Sequence, residues 1–361
     1  MKFKKLVKNV LPLKILTFSA LYIRFVKNQS IKSKLINDYY YLNYRKKYFF
    51  EDNPKLNELH LKKAFKYSQS NNYPIPKTVA KNLDIVKALD YNNTYYAASD
   101  KYFNNRKIGL DYIILFIHGG GFFFNPTSQH LLFIRKLANK ANAKVIMPIY
   151  PKAPAYSHKE MYHFLYQIYT DTITRFTAEK VIVIAEEAGA TLALELACKA
   201  RHDGIEPVKE MILLTPLSDV TLQDKRLKKA DSSDFKIDLH SLKKQVNYYA
   251  DDLKLNNPII NPYYNDLDIG TKISIFNSTS SILNIDSLNL QRKITKQGLH
   301  LDYFEYPNMQ YQFMFDSTLE SNKFYDDLLK VITRPRVKPN ELKIVNDKKF
   351  IDNLKVAIKK G

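Results

Sequence analysis

From residue 111 onward, short continuous apolar runs alternate with longer segments of helical periodicity. A strand that is covered on both faces reads as an unbroken apolar run, which is typical of parallel sheets with helices on either side. The runs predict strands at residues 112–117, 144–149, 180–184, 210–214, 273–276 and 301–306, and the segments between them predict helices at 128–141, 157–175, 188–202, 239–252, 286–297 and 317–332. This alternation predicts an α/β fold with a mostly parallel central sheet flanked by helices.

The two ends of the chain differ from this alternating region. Apolar residues recur at helical spacing over 15–25, and a second, aromatic-rich helical stretch is predicted from about residue 36 to 70. Residues 222–236 are polar and lack an apolar period, which predicts an excursion or a loop. A basic tail with a short helix over 347–359 follows residue 334. We therefore divide the chain into a basic helical cap segment (1–75), an α/β domain (76–333) and a basic C-terminal tail (334–361).

The charge balance raises the question of an anionic partner. The formal net charge is +20, and no acidic residue precedes Asp38. The apolar stretch 15–23 is too short for a membrane span of about 20 residues and lacks a small-residue cleavage site. Two interpretations stay open for residues 1–35: a cap packed over the domain, or a basic amphipathic element on an anionic membrane surface. We expect a cytoplasmic protein, peripheral at the inner membrane face in the second case.

Other classes of partner are disfavoured by the residues themselves. No zinc-finger, RNP, KH or helix-turn-helix signature supports nucleic-acid binding. The single cysteine, Cys198, cannot form an intramolecular disulfide and lies in an apolar helical run, so we expect a buried thiol in a reducing compartment. The sequence contains no metal-ligand cluster or dinucleotide fingerprint, and we infer no metal and no cofactor.

Three of the nine glycines are consecutive, at Gly119, Gly120 and Gly121, directly after a predicted strand and His118. Such a turn lets backbone N–H groups approach a ligand oxygen with no Cβ in the way, which is the geometry of an oxyanion hole. A purely structural turn without a ligand role is the alternative.

Six segments in order resemble the hormone-sensitive-lipase-like branch of the α/β hydrolases. They are His118 to Phe122, His130, and the segments 150–156, 214–219, 257–262 and 306–309. The resemblance covers about residues 110–332. It implies an α/β-hydrolase fold with an N-terminal helical cap, a carboxylic-ester hydrolase activity, and an oxyanion hole at Gly119, Gly120, Gly121 and Ala188.

The three catalytic positions of that family carry other residues here. Glu187 stands where the nucleophilic serine should follow the strand at 180–184, and Tyr311 stands at the histidine position. Alignment on Leu283 and Asp286 places Ser281 at the acid position, with Asp286 as a nearby carboxylate if the register differs. Serine hydrolysis needs a base within reach of the hydroxyl, oriented by a third group, so the whole relay is missing.

Three hypotheses follow for the function. The first is a non-catalytic pseudo-esterase that binds a small acyl or anionic ligand or a protein partner, with Glu187 as a built-in plug of the oxyanion hole. The second is a carboxylic-ester hydrolase with atypical chemistry, in which Glu187 is the nucleophile or the general base. The third is a membrane-surface adaptor that uses the basic termini.

Overall fold

The structure is a computed structural model that describes residues 29–44, 54–69, 85–87, 94–99 and 109–343. The helical spacing over 15–25 and the helix over 347–359 lie outside these residues. Most of residues 1–35 lie outside them as well, so the membrane interpretation of that segment stays a prediction.

The described strands form one sheet in the order β1-β2-β4-β3-β5-β6-β7-β8. The bounds are β1 Ile85–Lys87, β2 Thr94–Ala98, β3 Tyr112–Ile117, β4 Ala143–Pro148, β5 Val181–Glu186, β6 Glu210–Leu214, β7 Ile273–Ser278 and β8 Leu301–Tyr306. Strands β3 to β8 pair in parallel, whereas β1 and β2 add an antiparallel edge. The predicted α/β fold with a mostly parallel sheet is therefore confirmed, and the two edge strands are an addition that the apolar pattern did not predict.

Helices cover both faces of this sheet. The described α-helices are α1 Ile31–Tyr44, α2 Pro54–Ser68, α3 Ser128–Ala141, α4 His158–Phe176, α5 Ala188–His202, α6 Arg226–Asp231, α7 Leu239–Ala250, α8 Asn284–Lys296 and α9 Leu319–Thr333. Helix α6 corrects the prediction of a loop over 222–236. Only Leu227 is buried in this short charged helix, so no apolar period marked it in the sequence.

The core consists of two apolar layers, one on each face of the sheet. Ile113, Leu115 and Ile117 of β3 belong to one layer, and Ile114 and Phe116 belong to the other. Helices α4, α5, α7 and α8 pack on the first face and helices α3 and α9 on the second. This two-sided burial is the physical reason why the strands read as unbroken apolar runs.

The segments next to the domain contact it through polar groups. The Ser30 hydroxyl, just before α1, donates to Glu320 at 2.7 Å, and the Ser33 hydroxyl lies 3.3 Å from the Met309 sulfur. At the other end, the Arg334 side chain forms ion pairs with Glu210 and Asp302. None of the described helices combines the length and the apolarity needed to cross a membrane.

Gly189 lets helix α5 approach strand β3. A Cβ at this position would lie 2.3 Å from the carbonyl oxygen of Ile117 and 2.7 Å from that of His118. Because both obstacles are backbone atoms, neither can rotate away, and the helix or the strand would have to move.

We expect Gly189→Ala to lower the free energy of unfolding by about 1–3 kcal/mol, the usual cost of overpacking. Urea denaturation followed by far-ultraviolet circular dichroism would measure this loss. Gly109→Ala is the matched control, since nothing lies within 4 Å of a Cβ there, and we expect it to change stability by less than about 0.5 kcal/mol. Equal stability of the two variants would contradict the close approach.

Candidate active site

The turn between β5 and α5 places Glu187 at the carboxyl end of β5. Glu187 has a φ of 47° and a ψ of −116°, a backbone conformation that non-glycine residues rarely adopt. Its N–H donates to the carbonyl of Leu214 at 3.2 Å, and its carbonyl accepts from Leu217 at 3.1 Å and from Ala190 at 3.0 Å. These bonds hold the strained turn in place. The sharp strand-to-helix turn, here called the elbow, therefore carries a carboxylate at its tip.

The glycine turn after β3 faces this carboxylate. The N–H groups of Gly120 and Gly121 donate to Oε2 of Glu187 at 2.6 and 2.8 Å. Positive φ angles of 112° and 57° at Gly120 and Gly121 aim the two N–H groups in the same direction. Two of the four N–H groups predicted for an oxyanion hole, those of Gly120 and Gly121, therefore converge on Glu187 itself.

Gly119 has a different role from its two neighbours. Its N–H points to Oε2 of Glu186 at a long 3.4 Å. A Cβ at Gly119 would lie 2.8 Å from both Oε2 of Glu187 and the hydroxyl of Tyr311, so only glycine leaves room for these two side chains.

Glu186 is a second buried carboxylate that the family resemblance did not assign to the site. Thr127 donates its backbone N–H to Nδ1 of His130 at 3.0 Å, so Nε2 carries the proton and donates to Glu186 at 2.8 Å. Gln312 donates to the other oxygen of Glu186 at 2.9 Å. Burial acts to raise the pKa of Glu186, but His130 and the hydrogen bonds outweigh it and hold the pKa below its usual value.

Tyr311 lies beside both carboxylates. Its hydroxyl accepts from the amide nitrogen of Gln312 at 3.2 Å, and the same nitrogen donates to Glu186 at 2.9 Å. Burial raises the pKa of Tyr311 well above its usual value, and the charges of Glu186 and Glu187 raise it further. The phenol is therefore a proton donor to the cluster and a poor base.

Burial also raises the pKa of Glu187. The N–H groups of Ala188, Gly121 and Gly120 act in the opposite direction, because they stabilise the ionised form. The two adjacent glutamates thus differ in environment: Glu186 is paired with an imidazole, whereas Glu187 is held by backbone dipoles.

Ser281, at the predicted acid position, carries a hydroxyl that donates to Asp234 at 3.1 Å. The same Asp234 oxygen accepts from the N–H of Ile282 at 2.8 Å. Sequence reasoning missed Asp234 because it lies within the polar segment 222–236, which carries no motif. Asp286, the alternative acid, accepts from the Ser218 hydroxyl at 2.9 Å and from the N–H of Asp219 at 3.1 Å, so its carboxylate holds the turn after β6.

A cavity of about 390 Å³ opens in front of Glu187. Its lining includes Gly120, Tyr311, Gln245 of α7 and His60 of α2, so the helical segment before the domain contributes to the site. Among the described residues, no group of three or more histidine, cysteine, aspartate or glutamate side chains is arranged to hold a metal ion.

Lys236 brings a cation to the same cavity. Burial lowers the pKa of this lysine, although Asp316, Asp234 and Glu186 act to raise it. No motif marked Lys236 in the sequence, because it lies in the polar segment around α6.

A model of the α/β hydrolase fold matches residues 114–315 of this chain. The chain belongs to that family. This α/β-hydrolase is 26% identical to an esterase of Acinetobacter venetianus over 208 residues, which span 57% of this chain and 69% of the relative. It is 28% identical to Esterase LipI of Mycobacterium tuberculosis over 158 residues, spanning 40% of this chain and 47% of the relative.

Solved structures agree on the fold of this α/β-hydrolase. A putative esterase from Staphylococcus aureus has a TM-score of 0.74 at 19% identity, with 84% of this chain and all of that chain covered. A hormone-sensitive lipase from a metagenome library has a TM-score of 0.67 at 20% identity, with 83% and 97% covered. At these identities the likeness shows the fold alone.

Lys152 lies beneath the glycine turn and makes the pH dependence of the site testable. Its ammonium donates to the carbonyl of Tyr150 at 2.6 Å, and the Tyr150 hydroxyl donates to the carbonyl of His118 at 2.8 Å. Burial lowers the pKa of Lys152 to about 7. The unfolded chain therefore binds more protons than the folded chain between about pH 7 and the usual lysine pKa, and stability rises with pH over that window.

We expect the free energy of unfolding of the wild type to rise relative to Lys152→Met by roughly 2 kcal/mol between pH 6 and pH 9, because methionine has no proton to release. Urea denaturation of both proteins at several pH values would measure the difference. Parallel pH profiles would show that Lys152 keeps its ordinary pKa and that its burial is wrong.

Proposed function

We propose that this α/β-hydrolase binds a small acyl or anionic ligand, or a protein partner, at the cavity in front of Glu187, without serine-type turnover. The observation that carries the proposal is the pair of 2.6 and 2.8 Å hydrogen bonds from Gly120 and Gly121 to the Glu187 carboxylate. These donors are the groups that would stabilise a developing oxyanion in an esterase. Glu187 thus acts as an internal anion in the place of the reacting oxygen.

The residues at the other two catalytic positions support the same proposal. A hydrolase of this type needs a base that accepts the nucleophile's proton and an acid that orients the base. Tyr311 is a phenol whose pKa is raised well above its usual value, and the Ser281 hydroxyl donates to Asp234. Neither group can take a proton from a serine or a water near neutral pH.

A second candidate function is ester hydrolysis with Glu187 as a general base. The two curated relatives matched above are named esterases, which favours this reading. Burial raises the pKa of Glu187, and a higher pKa makes its carboxylate a stronger base towards a water. For this chemistry the carboxylate must leave Gly120 and Gly121, so that the ester carbonyl oxygen can accept from their N–H groups.

The first experiment separates the two candidates by activity. We expect the wild type to hydrolyse p-nitrophenyl acetate and butyrate no faster than a heat-denatured sample, and Glu187→Ala to be equally inactive. Turnover by the wild type that both Glu187→Ala and Glu187→Gln abolish would instead establish the carboxylate mechanism. Turnover that survives in Glu187→Ala would place catalysis at another site.

Serine replacements test the assignment of the missing relay. We expect Glu187→Ser alone to stay inactive, because its hydroxyl has no base. The combined variant Glu187→Ser, Ser281→Asp, Tyr311→His restores all three functional groups and is the positive comparison. Activity of the single variant would show that another group already serves as the base.

The second experiment tests whether Glu187 plugs the N–H groups of the glycine turn, with butyrate as a carboxylate probe. We expect Glu187→Ala to bind butyrate at least about tenfold more tightly than the wild type, measured by isothermal titration calorimetry, because removing the carboxylate exposes the N–H donors of Gly120 and Gly121. Glu187→Gln is the matched control: its amide oxygen can still accept from Gly120 and Gly121, and we expect it to bind butyrate as weakly as the wild type. Equal affinity for all three proteins would contradict the plug.

A further inference from the structure

A second cavity of about 590 Å³ lies on the α4 and α5 side of the sheet. Its lining comes from α4, α5 and the segment 258–265, and it shares no residue with the cavity in front of Glu187. Most of the exposed lining is apolar, and Ile259 stands at its rim with 62% of its surface exposed. A concave, mostly apolar cavity of this size is the usual form of a small-molecule site.

Three buried polar atoms belong to the side chains that line this cavity. They are Oε2 of Glu195, Nδ1 of His158 and the hydroxyl of Tyr162, and none has a hydrogen-bond partner among the described residues. Only seven buried side-chain atoms in the described part of the chain lack a partner. Since proteins rarely bury polar atoms unpaired, three around one cavity point to a ligand that pairs with them.

Glu195 is fixed in place for such a role. The Tyr249 hydroxyl donates to its Oε1 at 2.7 Å, which leaves Oε2 as the unpaired oxygen of a side chain that is 4% exposed. The Tyr249 ring in turn stacks on Phe122 of the glycine turn, with ring centroids 3.9 Å apart. The carboxyl group is therefore held by the core.

The polar groups of this cavity favour their uncharged forms. Burial raises the pKa of Glu195 well above its usual value, with the Tyr249 hydrogen bond acting in the opposite direction. Burial also lowers the pKa of His158 and raises that of Tyr162. The cations of the lining, Lys159 and Lys199, are exposed, and Lys199 is paired with Asp203, whereas the buried neutral carboxyl, imidazole and phenol match a neutral partner.

We propose that this cavity is a second ligand site, which takes an uncharged, largely apolar molecule carrying one hydroxyl or carbonyl group. The polar group of the ligand pairs with Glu195, His158 or Tyr162, and its apolar body lies along Pro258 and Ile259. This site is independent of the chemistry at Glu187, so its test does not depend on the proposed function.

The chain contains no tryptophan, so a single introduced tryptophan reports on the cavity. The full-length Ile259→Trp variant places an indole at the rim, and Leu319→Trp is the matched control at a position that is 73% exposed and absent from the cavity lining. The probes are 1-octanol, which is neutral, and octanoate, which is charged. We expect 1-octanol to change the emission of Ile259→Trp saturably, octanoate to bind at least about tenfold more weakly, and Leu319→Trp not to respond.

Two further variants, each made in the Ile259→Trp background, test the polar contacts. We expect Tyr162→Phe to weaken 1-octanol binding by about two- to tenfold without lowering the melting temperature, since the hydroxyl has no partner within the protein. Glu195→Gln keeps a group that can accept from Tyr249 and another that can pair with the ligand, and we expect it to bind within about threefold of its parent.

Several results would overturn the proposal. They are the absence of saturable binding, an equal response of the control tryptophan, octanoate binding as tightly as 1-octanol, and binding that Tyr162→Phe leaves unchanged.

Discussion

The site depends on one interaction, the placement of the Glu187 carboxylate on the backbone N–H groups of Gly120 and Gly121. These N–H groups lie at a glycine turn and face the N-terminus of α5, where backbone dipoles favour negative charge. In an esterase the same groups are kept for the transition state. Here a side chain of the protein occupies them, which satisfies two donors and restrains the elbow.

A second carboxylate directly before the first requires separate compensation. Glu186 is fully buried and accepts from Nε2 of His130 and from Gln312. Two adjacent buried anions would be costly if both relied on the same donors. The imidazole donates to Glu186 and the backbone N–H groups donate to Glu187, so each carboxylate has its own donors.

The backbone around these groups retains the conformation and the close packing that a hydrolase of this fold requires. Glu187 retains a positive φ that costs conformational free energy, and Gly189 retains a contact with the backbone of β3 that excludes any side chain. The chain belongs to the α/β hydrolases and has esterases among its relatives, which is consistent with this geometry. What differs is the chemistry of the side chains at the tip of the elbow and in the loop that faces it.

The sequence by itself determined the α/β fold and the six parallel strands, because apolar runs encode strands directly. Local motifs also assigned Glu187, Ser281 and Tyr311 to the catalytic positions, and that assignment stays a prediction. The antiparallel edge strands and helix α6 were not predicted from the sequence, because neither carries a clear apolar period. Only the tertiary structure decided where side chains point. The contacts from Gly120 to Glu187 and from Gln312 to Glu186 join residues 67 and 126 positions apart, and Asp234 reaches Ser281 across 47. Such contacts, like the cavity beside Glu195, arise from the packing of distant segments, for which a single sequence holds no local signal.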